Sequence, residues 1–256
     1  MHPILLDLGF IQLPSYGVLL VGSFLLSAWL LKREAPTLGL DPKKVVDVAV
    51  IGLLFGLIGA KLLLIVVELP HYIEDPKRIL GTIRSAGVIY GGLILGAVGS
   101  IWYIRKLKLT MLDTLDLMAP FSALAVGLGR VSCLAAGCCY GSVYEGPFAL
   151  TFPDHPLCHA PAGVSLFPIQ IVGLINGIVL CVGLVYILRR RAFPGQVIAA
   201  YGFLYSLTRG LMEFLRGDAV RGEYFDGAVS TSQIIAVVVG VISLFLYFKL
   251  QKGANS

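Results

Sequence analysis

Seven long apolar stretches divide this chain: Ile11–Leu31, Val45–Val67, Val88–Ile104, Thr114–Gly129, Phe167–Leu188, Val197–Phe214 and Ala228–Phe248. A bilayer core about 30 Å thick is crossed by about 20 helical residues, so each stretch is long enough, or nearly so, to span it. Backbone groups in lipid must be satisfied within helices or closed barrels, and no two-residue alternation suggests a barrel. The fold expected is therefore all-α: one integral membrane domain over residues 1–256, a polytopic bundle of about seven transmembrane helices. Composition agrees, with 57% hydrophobic and 14% charged residues, where a soluble domain carries about 25% charged. That balance excludes an ordinary soluble enzyme, a disordered chain and a nucleic-acid module. No Lys or Arg precedes Lys32, so the basic start of a cleavable signal peptide is missing and the first helix is expected to be kept. The chain shows no internal repeat, which weighs against an inverted-repeat transporter.

The basic residues alternate from loop to loop. Lys32, Arg33, Lys43 and Lys44 follow the first span; Arg105, Lys106 and Lys108 the third; Arg189, Arg190 and Arg191 the fifth; Lys249 and Lys252 the last. The opposite loops hold Lys77, Arg78, Arg84, Arg216 and Arg221. The positive-inside rule then predicts the N-terminus outside, the C-terminus in the cytoplasm, and an outer loop segment at about 130–166.

Six charges fall within or at the ends of spans: Lys61, Arg130, Arg209, Asp47, Asp116 and Glu213. A charge at mid-bilayer costs roughly 2.5–3.5 kcal/mol and usually faces a partner or a watery cavity. Snorkelling or a structural ion pair is the rival account, weightier for Lys61 and Asp47 than for the two arginines. Arg130 and Arg209 fall where lipid phosphates sit, and a guanidinium fork binds phosphate through two parallel bonds. Arg209, Glu213 and Arg216 are spaced four and three residues apart, on one helix face, so Glu213 is positioned to hold Arg209 or to act as a base.

A second cluster is GLGRVSCLAAGCCYG, Gly127–Gly141, read as following the fourth span, with glycines that let backbone wrap a headgroup. Cys133, Cys138, Cys139 and Cys158, with His155 and His159, fall on the expected outer side. The adjacent pair Cys138-Cys139 and the distance to Cys158 match no standard zinc pattern, so the reading is no metal and no cofactor. In an oxidising compartment a disulfide is expected, Cys158 being the obvious long-range partner; buried free thiols are the alternative. Cys181 reads as a small apolar residue. In a third cluster, Tyr90 precedes Gly91 and Gly92; taken alone, it reads as an interfacial tyrosine beside tight helix packing.

Taken together these residues resemble the bacterial phosphatidylglycerol–prolipoprotein diacylglyceryl transferases over most of the chain. The start, with His2-Pro3 and Tyr16-Gly17, is similar to the family's own. So are GLIGAKLL, with Lys61 where arginine is common, the stretch from Asp116 through Pro120 to Gly129-Arg130, FPIQ at Phe167–Gln170, and STSQII at Ser230–Ile235. The run YGFLYSLTRGLMEFLRGD is the nearest match and carries over Arg209, Glu213 and Arg216. The family's central motif is Gly-Arg-x-Gly-Asn-Phe-x-Asn-x-Glu and then a glycine. Arg130 and Gly141 match it, whereas Ser132, Cys133 and Cys138 stand at its second Gly, its first Asn and its Glu. Tyr90 stands where the family has a histidine proposed as catalytic. The resemblance implies a divergent, cysteine-bearing branch.

The resemblance implies transfer of a diacylglyceryl group from phosphatidylglycerol to the cysteine thiol of a lipoprotein precursor, in the bacterial cytoplasmic (inner) membrane. Arg130, Arg209, Glu213 and Tyr90 are the expected catalytic residues. Tyr16, Gly91, Gly92, Gly141 and Arg216 are the expected substrate-binding ones. The partners are the lipid donor, the precursor and the surrounding membrane lipid, with no nucleic acid. Two rivals remain: a paralogous lipid transferase with another acceptor, and a membrane thiol-redox protein using Cys133, Cys138, Cys139 and Cys158.

Overall fold

The computed structural model describes residues 4–7, 12–75, 87–156, 158–217, 223–224 and 229–255. The His2-Pro3 resemblance and the basic residues Lys77, Arg78, Arg84 and Arg221 lie outside the described residues. Among the described residues there are eight α-helices: α1 Ser15–Glu34, α2 Pro42–Val67, α3 Leu69–Glu74, α4 Ile89–Lys106, α5 Met111–Ala136, α6 Ile169–Arg189, α7 Gln196–Glu213 and α8 Thr231–Asn255. A 3₁₀ turn, Ala35–Leu38, extends α1. Two short antiparallel ribbons pair β1 (Ile4–Asp7) with β2 (Gln12–Pro14), and β3 (Glu223–Tyr224) with β4 (Val229–Ser230).

Among the described residues five helices are long and apolar enough to cross a membrane: α1 with its extension, α2, α5, α6 and α8. The expected third and sixth spans appear as α4 and α7, each 18 residues, or about 27 Å at 1.5 Å per residue. Large apolar side chains face outward, with Val66, Val182 and Phe245 exposed to 64%, 67% and 64%, while Asp116 is wholly buried. Water would penalise so broad an apolar surface at roughly 25 cal/mol per Å², and lipid removes the penalty. The chain is a multi-pass helical membrane protein.

Local chemistry sets the helix ends. Asp41 caps α2, accepting from the Lys43 amide at 2.9 Å, with Pro42 in the first helical position where its missing N–H costs nothing. Ser230 and Gln233 form a reciprocal box at the start of α8: the Gln233 amide donates to Ser230 Oγ at 3.2 Å, and the Ser230 amide to Gln233 Oε1 at 2.9 Å. The STSQ run is thus an N-terminal helix signal.

The chain divides into two compact units. Within Leu31–Thr114, α2 and α4 meet through glycines. A Cβ on Gly91 would lie 2.3 Å from the Gly59 carbonyl oxygen, one on Gly59 equally close to that of Gly91, and one on Gly92 3.0 Å from that of Gly56. Small residues let helix backbones approach this closely in lipid. Gly91→Val is expected to force the helices apart and cost at least about 3 kcal/mol, because backbone offers no rotamer by which to yield. Unfolding midpoints in detergent check this.

The second unit comprises Met1–Leu30 and Leu115–Ser256. In it α5 and α6 cross at Gly127 and Gly177, where a Cβ on either would come within 2.7 Å of the other's Cα. Asn176 Nδ2 donates to Thr208 Oγ1 at 3.2 Å, tying α6 to α7. Asp116 is held by four hydrogen bonds. Oδ1 accepts from the amides of Val197 (3.0 Å) and Ile198 (2.9 Å), and Oδ2 from the Gly195 amide (2.8 Å) and Arg191 Nη1 (2.9 Å). Gly195 has φ +91°, a conformation glycine adopts at no cost, and so turns its amide into the carboxylate. This buried charge neutralises the amide orphans at the start of α7.

Candidate active site

Helix α5 runs to Ala136, seven residues beyond the expected end of the fourth span. Arg130 and Cys133 are therefore helical, and the loop read from about residue 130 begins at Gly137. The extension matters because it places Arg130 one turn beyond the Gly127–Gly177 crossing, directly over α6. A Cβ at Gly173 would meet the Arg130 side chain at 3.0–3.2 Å, so Gly173 supplies the trough in which the guanidinium stem lies.

The end of α5 is a Schellman motif. The Cys138 amide donates to the Cys133 carbonyl (3.0 Å) and the Gly137 amide to that of Leu134 (3.3 Å), with Gly137 at φ +64°. This motif brings together the side chains two residues past the cap and three before it, here Cys138 and Cys133. Cys139 then adopts φ +54°, rare for a residue with a Cβ, and the three Sγ atoms all lie within 4.8 Å of one another. All five cysteines are free thiols in this structure. Cys158 packs beside Gly137, whose Cβ would fall 2.3 Å from its Sγ.

Backbone bonds stitch this turn to the end of α7. Gly141 bridges Arg216, the Ser142 amide donates to the Leu215 carbonyl at 3.0 Å, and the Gly217 amide to that of Tyr140 at 3.1 Å. A Cβ on Gly141 would sit 2.4 Å from the Phe167 carbonyl oxygen, so close approach accounts for this glycine. Behind the turn, Phe152, Ala160 and Leu166 form a small core with Leu134, Tyr140 and Cys158 packed on it.

Electrostatics follow from this gathering. Hydrogen bonds from Cys133 and Cys138, then the charges of Arg216 and Arg130, hold the Cys139 thiol far below the usual thiol range. Its hydrogen-bonded neighbours Cys133 and Cys139, with burial, push Cys138 upward. The Tyr16 phenol shares this field, feeling the three thiols and Arg130. Gln170, missing from the expected site list, is 2% exposed; its Nε2 donates to the Cys138 carbonyl at 3.0 Å. Its Oε1 is buried and has no partner among the described residues. The FPIQ run held that signal, a glutamine at the head of an apolar helix.

Arg209 pairs with Glu213 one turn along α7 and donates to Ser232 Oγ at 3.2 Å, joining α7 to α8. Beside this pair an apolar groove of about 680 Å³ runs between α7 and α8, from Gly210 and Gln233 toward Phe203 and Val241. Thus Tyr16, Arg130, the three thiols, Gly141 and Arg216 share one locality, and Arg209 and Glu213 pair on α7, whose Gly210, Leu211 and Phe214 line the groove. Tyr90, Gly91 and Gly92 belong to the other unit, where both glycines are helix contacts.

These features define a class: a multi-pass helical membrane protein that keeps guanidinium groups, a buried amide and thiols at the ends of its apolar helices. A family model described as "Prolipoprotein diacylglyceryl transferase" matches residues 3–249, and the chain belongs to that family. A phosphatidylglycerol–prolipoprotein diacylglyceryl transferase of Clostridium tetani is 34% identical, covering 96% of this chain and 97% of its own. The enzyme numbered 2 of that name in Clostridium perfringens is 33% identical, covering 93% and 91%. One from Vibrio atlanticus is 26% identical, covering 96% and 91%.

Proposed function

We propose that this chain transfers the diacylglyceryl group of phosphatidylglycerol to the cysteine thiol of a lipoprotein precursor. The carrying observation is a fixed cation on a helix that walls an apolar slot: Arg209, oriented by Glu213 and Ser232, directly precedes Gly210 of the α7–α8 groove. An acyl chain fits such a groove, and a guanidinium at its head is the natural partner of a phosphate. Family membership and the relatives' names support the same substrates.

In the reaction the glycerol carbon–oxygen bond to phosphate breaks and a carbon–sulfur bond to the acceptor forms. The bonding pair leaves on the phosphate oxygen, turning a singly charged diester into glycerol phosphate with an added negative charge. Arg130 and Arg209 stabilise that growing charge. The same positive field, with Arg216, favours the acceptor's thiolate, the reactive form; its proton leaves to water or to the departing phosphate. Gln170 Oε1 accepts a headgroup hydroxyl, satisfying the buried acceptor. Tyr16 binds headgroup oxygens, and Tyr90 occupies the sequence position where the family carries a histidine; a neutral phenol is a weak base near pH 7.

The chain acts from the bacterial cytoplasmic membrane with seven spans, α4 and α7 being the third and sixth, and the Arg130–Gly141 segment outside. The alternation of basic loops supports this orientation. A reporter fused after Lys252 should behave as cytoplasmic and one inserted near Pro147 as external; the reverse pattern would overturn the placement of the site. The function is tested by complementing a conditional diacylglyceryl transferase mutant and weighing its lipoproteins by mass spectrometry. Restored growth with diacylglyceryl-modified cysteine is expected, and failure despite membrane expression would point to another acceptor.

A further inference from the structure

We propose that Cys133, Cys138 and Cys139 form a binding site for a thiophilic closed-shell divalent cation of the zinc class. The inference is independent of the lipid-transfer reading, because it rests on how the chain folds at the end of α5. Linear spacing hides the site: four residues separate Cys133 from an adjacent cysteine pair. The Schellman bonds of Gly137 and Cys138 to Leu134 and Cys133 close that gap, and the left-handed turn at Cys139 returns the third sulfur. Zinc–sulfur bonds of about 2.3 Å place sulfurs roughly 3.8 Å apart in a tetrahedron. The three Sγ atoms already lie within 4.8 Å of one another, so small rotations of the side chains bring them to a common centre.

Charge and access fit as well. A divalent cation held by three thiolates forms a complex of net charge −1. The charges of Arg130 and Arg216 act on this cluster and compensate that excess. Each of the three cysteines is half-buried, open enough for an ion to enter yet shielded from bulk water. Gln170 holds the Cys138 carbonyl at 3.0 Å, an outer bond of the kind that fixes a ligand's backbone. Three soft thiolates select zinc-class ions over magnesium or calcium, which take oxygen donors. The site would lock the turn carrying Gly141 and the bridge to Arg216, giving the cysteines a structural task next to the arginines.

The test uses the full chain, reduced and purified in detergent without oxygen, loaded with zinc and then desalted. About one zinc per chain should remain by elemental mass spectrometry. Cadmium should give a sulfur-to-metal charge-transfer band in the ultraviolet. Alkylation of Cys133, Cys138 and Cys139, read by peptide mass spectrometry, should slow with zinc and recover with a chelator. Each of Cys133→Ser, Cys138→Ser and Cys139→Ser should lose most of the retained zinc, and Cys181→Ala should keep it. The alkylation readout on the unaltered chain guards against variants that fail to fold. Retention no higher than in the triple serine variant, or unprotected thiols in the zinc-loaded chain, would overturn the proposal.

Discussion

Replacing Asp116 with alanine is expected to cost about 3–5 kcal/mol of stability, the usual penalty for breaking a buried ion pair. Its carboxylate accepts from three amides and from Arg191, and the residue is wholly buried. Alanine would strand the three amide donors and remove the carboxylate to which Arg191 donates. Asparagine is isosteric but turns two of its own hydrogens toward donors, so it should recover less than half of the loss. Unfolding in graded mixtures of mild and harsh detergent measures the difference. A penalty below about 1 kcal/mol would mean that α7 is capped by other groups.

The second large effect belongs to Arg130. If it grips the donor phosphate through two charge-assisted bonds, each worth about 1.5–3 kcal/mol, Arg130→Ala should slow transfer by roughly a hundredfold or more. Arg130→Lys should restore only part, since an ammonium lacks the planar fork. Arg209→Ala should cost at least about tenfold, and Glu213→Gln less, because the amide still leaves the guanidinium in place while loosening its orientation. Cys133→Ala and Cys138→Ala should reduce rate less than Arg130→Ala does, their losses appearing as instability. Rates come from purified chain with labelled phosphatidylglycerol and a precursor peptide. Cysteine variants without activity beside an unimpaired Arg130→Ala would reverse the roles assigned to them.

Much of this was legible in residue order, and the exceptions have physical causes. Apolar runs located each long helix, because lipid leaves the backbone no other choice. The four-residue spacing of Arg209 and Glu213 foretold their pairing on one face of α7. The end of α5 was placed too early because Gly127 and Gly129 read as backbone that wraps a headgroup, whereas Gly127 serves a helix crossing and neither stops the helix. Asp116 read only as a costly charge; its partners, 75 to 82 residues away, are invisible to any local pattern. Cys133, Cys138 and Cys139 were singled out with Cys158, but the gathering of those three at one turn was not, for the opposite reason. Its cue, a glycine directly before Cys138, was local, but it was a helix-ending signal and not a metal-binding spacing. Gln170 lay in a quoted motif without a role until its buried oxygen was seen to lack a partner.

The bridge between Gly141 and Arg216 has a consequence for the order of events during synthesis. The turn bearing Cys138 and Cys139 leaves the ribosome about 75 residues before the Leu215–Gly217 segment that fastens it, a delay on the order of 4–15 s at ordinary elongation rates. Throughout that interval α6 and α7 are still being made, and the cysteines have neither their backbone clasp nor the Arg216 charge. The nascent chain therefore passes through a window in which its thiols meet oxidants and stray metal unprotected. Growth conditions that lengthen this window, such as slow translation in an oxidising medium, should damage newborn copies of the protein while sparing those already complete.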